Sequence, residues 1–259
     1  MNIFRRAYGG LAQYRGAVEL GWHDFAIGYR RSLLGPIWVA VQFVVWLSAL
    51  TLILHQQLGD NGVWPYAAYV GTGMFVWEPI AASMLEGARH FSQQAGLIKS
   101  VPVPLSYISV RKLAFLIFRA SVTVPIIVIL LVMSGAETDL RVLLYVFPAL
   151  ALIIVSMYCM IVLFGFIGAY HRDFEFFLPA VMRFLFFVTP VFWRGSEGLR
   201  KTISDFNPFS YYLDLIRAPL LGTAPSQLDW IVVGSLTVFG VLASAIVQVN
   251  FRKAVIFWI

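Results

Sequence analysis

Three charged residues, Glu78, Arg119 and Arg183, fall inside long apolar runs of this 259-residue chain. A charge in an apolar medium costs a few kcal/mol unless it is paired, hydrated or able to snorkel. Arg119 lies seven residues past Lys112 and Arg183 seven past Phe176. At about 1.5 Å per helical residue, each sits about 10 Å beyond the start of its run. Glu78 lies about 12 Å from Glu86 by the same arithmetic, so a buried pair of Glu78 with Arg119 is expected. One carboxylate does not easily neutralise two guanidinium groups, which leaves Arg183 without a partner at its depth. Residues arranged for catalysis are not expected. The chain contains no Gly-Lys pair and so no P-loop, and it has no His-Glu-x-x-His and no His/Cys cluster. His171-Arg172-Asp173 copies a kinase tripeptide, but Leu178 stands where a kinase needs Asn. Gly71-Thr72-Gly73 lacks the third glycine of a dinucleotide site. Neither a catalytic residue nor a metal ligand is assigned.

The composition says what medium holds these charges. Apolar residues make up 60% of the chain and charged residues 12%, against about 45–50% and about 25% in soluble domains. The mean hydropathy is +0.80. So little polar surface cannot cover a soluble core, whereas a bilayer lets apolar side chains face outward. Cys159 is alone, so no disulfide forms within the chain. The net charge of +6 gathers at the ends of apolar runs, as cytoplasmic Lys and Arg do in membrane proteins, and does not point to nucleic acid. No compact apolar stretch follows Arg5, Arg6 and Arg15 as a cleavable signal would require.

The fold class read from this pattern is an all-α integral membrane protein with six transmembrane helices. Residues 1–32 form an N-terminal amphipathic segment at the cytoplasmic interface, mixing Trp22, Phe25 and Tyr29 with Arg15, Glu19 and Asp24. Gly9, Gly10, Gly16, Gly21 and Gly28 work against one continuous helix there. Residues 33–259 form the transmembrane domain, with spans at about 34–58, 64–86, 113–134, 142–169, 176–193 and 229–250, each long enough for about 30 Å of hydrocarbon. Arg5, Arg6, Arg15, Arg30, Arg31, Arg89, Lys99, Arg111, Lys112, Arg172, Arg252 and Lys253 fall on the side of the termini. Arg141, Arg194, Arg200, Lys201 and Arg217 fall on the other. The positive-inside rule therefore puts both termini in the cytoplasm. Asn207 to Gly222 is apolar but too short to cross, and reads as a re-entrant outer hairpin in which Asp214 and Arg217 can pair at i, i+3.

Several stretches then resemble the ABC-2 family of export permeases. Asp24-Phe25-Ala26-Ile27-Gly28-Tyr29-Arg30-Arg31-Ser32-Leu33-Leu34-Gly35-Pro36-Ile37-Trp38 is similar to the run the family places before its first span, with Gly28 where a basic residue is common. Gly96-Leu97-Ile98-Lys99-Ser100-Val101-Pro102-Val103-Pro104-Leu105 resembles its inner loop. Tyr170-His171-Arg172-Asp173-Phe174, Thr189-Pro190-Val191 and Asn207-Pro208 follow in family order. Arg217-Ala218-Pro219-Leu220-Leu221-Gly222 and the Arg252-Lys253…Phe257-Trp258 tail resemble the O-antigen (lipopolysaccharide) exporters.

That resemblance implies a homodimer working with two cytoplasmic ABC ATPase subunits in the bacterial inner membrane. Its cargo is an undecaprenyl-pyrophosphate-linked glycan, and the partner holds the ATP and Mg, so this chain needs no cofactor and is not an enzyme. Within that frame, Arg30, Arg31 and Arg183 are expected to attract the pyrophosphate. Phe176, Phe184 and Phe187, on one helical face, are expected to line the sugar path. Arg89, Leu97 and Lys99 are expected at a short helix that couples to the ATPase. Asn207, Pro208, Tyr211 and Arg217 are expected at the outer gate. Teichoic acid, capsular polysaccharide or another lipid-like cargo is the alternative within the family, and an intramembrane transferase or channel is the alternative outside it.

Overall fold

The computed structural model describes residues 2–30, 32–54, 62–100, 103–136, 139–194, 198–252 and 254–259, with side chains from residue 14 onward. The regular elements among them are all helical. In chain order they are α1 (Asn2–Gly28), α2 (Ile37–Leu54), α3 (Val63–Gln93), α4 (Ala95–Ser100), α5 (Leu105–Ser121), α6 (Val124–Ser134), α7 (Leu140–Leu143), α8 (Val146–Tyr170), α9 (Phe174–Val188), α10 (Gly198–Phe206), α11 (Pro208–Leu220), α12 (Gln227–Phe251) and α13 (Val255–Trp258).

Four segments among the described residues are long and apolar enough to cross a membrane: Ile37–Leu54, Leu105–Ser134, Leu140–Tyr170 and Gln227–Phe251. The second is α5 and α6 in line. They part at Val122–Thr123, where Pro125 in the first turn of α6 supplies no N–H to the preceding helix. The two remaining expected spans differ from these. α3 has ample length at 31 residues, but it carries Glu78, Glu86, Arg89 and His90 and extends past the expected end at 86 to Gln93. α9 has 15 residues and stops at Val188, five residues before the expected end. It reaches about 22 Å, short of a crossing of about 30 Å. Pro190 is the cause: it lacks an N–H, and it drives Thr189 to the extended ψ of 138°.

α3 is the centre of the bundle and touches α2, α5, α6, α8, α9 and α11. It is small-residue-rich and buried on most of its circumference, which is why it tolerates polar groups that would be costly in lipid. α2 is the opposite case. It is apolar all round and buries only the stripe Val39, Phe43, Leu47 and Thr51, at intervals of four. Its Val45, Trp46, Leu52 and Ile53 are exposed, as are Ile231, Val238 and Phe239 of α12. Such apolar faces suit hydrocarbon rather than water. Ser226 caps α12 by accepting from Asp229 N at 3.1 Å, while Asp229 accepts from Ser226 N at 2.8 Å.

α1 is one uninterrupted helix despite its glycines, and it lies along α5. Gly21 is part of the reason. A Cβ there would come within 2.6 Å of Arg111 O and 2.7 Å of Ala114 Cβ, so only glycine lets the helices approach. The contact is then locked by Arg111, whose Nε and Nη2 donate to the Asp24 carboxylate at 2.6 and 2.7 Å. Trp22 meets Phe118 edge-on at 5.1 Å beside it. Replacing Gly21 with Leu is expected to separate the two helices and lower stability by about 1–3 kcal/mol, the usual range for overpacking. Gly28→Ala, where the added Cβ meets nothing within 4 Å, should leave the melting temperature in detergent unchanged.

Candidate functional site

α9 divides its side chains cleanly. Leu178 and Met182 are buried in the bundle, while Phe176, Phe184 and Phe187 are 80%, 66% and 64% exposed. Arg183 is exposed on the same side, two turns from Phe176, and its Nε donates to Pro179 O of its own helix at 3.3 Å. No acidic side chain meets Arg183 among the described residues. Phe177 is exposed as well, at 63%, whereas Phe186 turns inward and packs with Trp77 at 6.0 Å and with Phe192 at 5.6 Å.

The helix carrying this face is held at both ends. At its start, Arg89 Nη2 donates to Glu175 O at 3.4 Å and Ser92 Oγ to Glu175 Oε1 at 3.1 Å. At its end Thr189 N closes the last helical turn on Leu185 O at 2.8 Å, the chain then turns through Pro190–Trp193, and neighbouring side chains meet its carbonyls. Arg217 Nη1 donates to Pro190 O at 2.9 Å and Nη2 to Val191 O at 3.1 Å. Tyr66 donates to Phe192 O at 2.7 Å and Tyr69 to Trp193 O at 3.0 Å. Asn207 Nδ2 donates to Thr189 Oγ1 at 2.9 Å, and its own Oδ1 caps α11 by accepting from Phe209 N at 3.0 Å.

Arg217 therefore occupies a different place from that expected of a gate residue on a polar helix side. It is 3% exposed, lies 4.0 Å over the Tyr69 ring, and reaches the Asp214 carboxylate only at 3.5 Å. Gly73 makes room for it, since a Cβ there would lie 2.1 Å from Arg217 Nη2. Of the other residues expected at the outer end, Pro208 opens α11 at its first position and Tyr211 donates to Asp205 O at 2.7 Å. The buried side of α11 packs against α3, α8 and α12.

The expected pair of Glu78 with Arg119 is corrected. Arg119 Nη1 donates to Glu86 Oε1 at 2.9 Å, and Lys112 Nζ donates to Glu86 Oε2 at 3.1 Å. Lys112 and Arg119 are two turns apart on one face of α5, and Glu86 of the neighbouring helix serves both. On the connector between α3 and α5, a short helix forms at α4. Leu97 is half-buried, and Lys99 is exposed with its Nζ donating to Ile259 O. Arg30 is exposed just after α1, and Arg31 lies outside the described residues.

The family described as ABC-2 type transporter matches residues 18–221, which include α2 to α11 and most of α1's contact with α5. This chain belongs to the ABC-2 type transporter family. Two relatives from Klebsiella pneumoniae, both named O-antigen export system permease protein RfbA, are each 22% identical to it over 194 residues, 72% of this chain and 73% of theirs. The protein is thus a multi-pass membrane subunit of a transporter.

In this ABC-2 transporter the residues that sequence reasoning missed are Tyr66, Tyr69 and Gly73. Their i, i+3, i+7 spacing puts them on one face of α3. That spacing is the only signal they carry, because their partners are backbone carbonyls over a hundred positions away. Arg217→Ala would leave Pro190 O and Val191 O without donors, at about 1–3 kcal/mol for each buried group. A loss of at least about 2 kcal/mol is expected in thermal unfolding in detergent. Asp214→Asn touches a half-exposed carboxylate at 3.5 Å, and should cost less than about 1 kcal/mol.

Proposed function

We propose that this chain is the permease subunit of an ABC exporter that moves an undecaprenyl-pyrophosphate-linked O-antigen-type polysaccharide out of the cytoplasm. Two copies would form the membrane unit of the bacterial inner membrane, and two cytoplasmic ATPase subunits would supply the energy. In this reading α3 and α9, the latter continued by the turn Thr189–Trp193, complete six crossings, both termini are cytoplasmic, and the Asn207–Gly222 hairpin around α11 re-enters the outer leaflet. The relatives named as O-antigen export permeases support this cargo over teichoic acid or capsular polysaccharide.

The observation that carries the reading is the exposed face of α9. Four phenylalanines, Phe176, Phe177, Phe184 and Phe187, and one arginine share it, on a helix anchored at both ends. A guanidinium in lipid is costly, so this face belongs on a wet path between two copies. Its rings can stack on sugar C–H surfaces without requiring one stereochemistry. Arg183, with Arg30 and Arg31 nearer the cytoplasm, would draw the pyrophosphate through charge-assisted hydrogen bonds. Asn207, Pro208, Tyr211 and Arg217 would hold the outer gate in place, and α4 with Leu97 and Lys99 would dock on the ATPase beside Arg89.

A strain lacking this gene and carrying Arg183→Ala is expected to show no surface polysaccharide, although the variant inserts and co-purifies with its ATPase. Arg183→Lys should export poorly, because it keeps the charge and loses the planar fork. Normal surface polysaccharide with Arg183→Ala would reject the role given to this residue. Cysteines placed singly at 90–100 should crosslink to the ATPase at one position or more. A complex that assembles without any such crosslink would remove α4 from the coupling site.

A further inference from the structure

A second charged region of the bundle has no part in export as read above. A cavity of about 270 Å³ lies between α2, α3 and α5, and Glu78, Glu86, Arg119 and Thr123 are its polar walls. Both oxygens of Glu86 are already taken, by Arg119 at 2.9 Å and by Lys112 at 3.1 Å. Glu78 makes no hydrogen bond or ion pair among the described residues and feels Arg119 only through space. Arg119 commits Nη1 to Glu86 and keeps its other donors, with its side chain 40% exposed. The cavity thus offers an acceptor that lacks a donor and a guanidinium with donors to spare.

A second cavity, of about 190 Å³, shares the walls Phe75, Pro79 and Ala120 with the first. Ile117, Val124, Leu150, Ile154 and Met157 supply most of its remaining lining. Ser121 also lines it, but its hydroxyl is spent on Phe118 O at 2.8 Å. The apolar cavity lies against the middle of the segments Leu105–Ser134 and Leu140–Tyr170, and the polar cavity reaches from that same depth, at Glu78, Arg119 and Thr123, to Glu86 nearer one end of the bundle. The two cavities meet at their shared walls, so a polar and an apolar compartment lie side by side, as the head and chain of one amphiphile require.

We propose that the paired cavities hold an aminophospholipid of the surrounding bilayer. Its primary ammonium donates to Glu78, its phosphate accepts from Arg119, and part of one acyl chain occupies the apolar cavity. The charges select this headgroup. A primary ammonium brings N–H donors to a carboxylate that has none, whereas a choline headgroup has no N–H to give. An anionic headgroup without an amine would satisfy Arg119 but leave Glu78 unmet and set a negative charge beside two carboxylates. The proposal requires residence in a membrane and does not depend on which cargo is exported.

The test is lipid titration of the delipidated protein in detergent, read by native mass spectrometry. Dioleoyl phosphatidylethanolamine, phosphatidylcholine and phosphatidylglycerol are compared. The wild type should bind the ethanolamine lipid saturably and about tenfold more tightly than either of the others. Glu78→Gln should lower ethanolamine-lipid affinity to the choline-lipid level while elution and melting temperature stay those of the wild type. Ala120→Leu, which fills the shared wall, should weaken all three lipids. The proposal is overturned if the wild type binds no lipid saturably, if it binds the choline or glycerol lipid as tightly, or if Glu78→Gln keeps the preference. Should Glu78→Gln fail to fold, the decision passes to Ala120→Leu, and unchanged ethanolamine-lipid affinity in that variant overturns the proposal.

Discussion

Where a chain stops being helical inside an apolar bundle, its carbonyls lose their intrahelical partners and water is not there to replace them. The turn Thr189–Trp193 poses that problem four times in succession, at Pro190, Val191, Phe192 and Trp193. Each carbonyl has a side-chain donor: Arg217 serves the first two, Tyr66 the third and Tyr69 the fourth. A guanidinium suits the task because its planar fork reaches two acceptors at once, and because its flat face rests on the Tyr69 ring. The charge it brings inside is compensated by Asp214 at the rim and by the carbonyl dipoles themselves. The turn thus ties α9, α11 and α3 into one unit, and Gly73 leaves the space in which they meet.

The same logic sets the other half. Glu86 gathers Lys112 and Arg119, and Asp24 takes Arg111 in a two-point grip, so these five charges are matched across helices. α3 supplies Glu86, Arg89, Tyr66 and Tyr69 from a single rod, which makes it the reference against which α1, α5, α9 and α11 are positioned. A helix fastened at both ends presents its remaining face in a defined orientation. For α9 that face is Phe176, Phe177, Arg183, Phe184 and Phe187. Under the proposed function, cargo sliding past this face would need many weak, stereochemically tolerant contacts, which phenyl rings provide.

Much of this was legible along the chain. Apolar content, the placement of Lys and Arg and the motif order placed the protein in a membrane and in a family of permeases, because bilayer partition depends on composition over about twenty residues. The aromatic face of α9 was legible as well, since helical spacing alone puts residues eight and three apart on one side. The short helix between α3 and α5 was anticipated, and it is α4. The length of α9 was misread: hydropathy continues through Val191 and Trp193, and only the backbone consequence of Pro190 shows that the helix has ended.

What the sequence determined by itself was the medium, the helical class, and which residues share a face, because all three follow from composition and a fixed helical period. What only the tertiary structure decided was which residue meets which. Glu78 and Glu86 are eight positions apart on one helix and both lie near Arg119 in depth, yet the contact falls to Glu86. Arg217 reads as a surface partner of Asp214, yet it is buried under the turn after α9. Partner choice depends on how far each helix is rotated about its axis and how closely its neighbour approaches. Those quantities are set by side-chain volumes across several helices at once, as at Gly21 and Gly73, and no single stretch of sequence contains them.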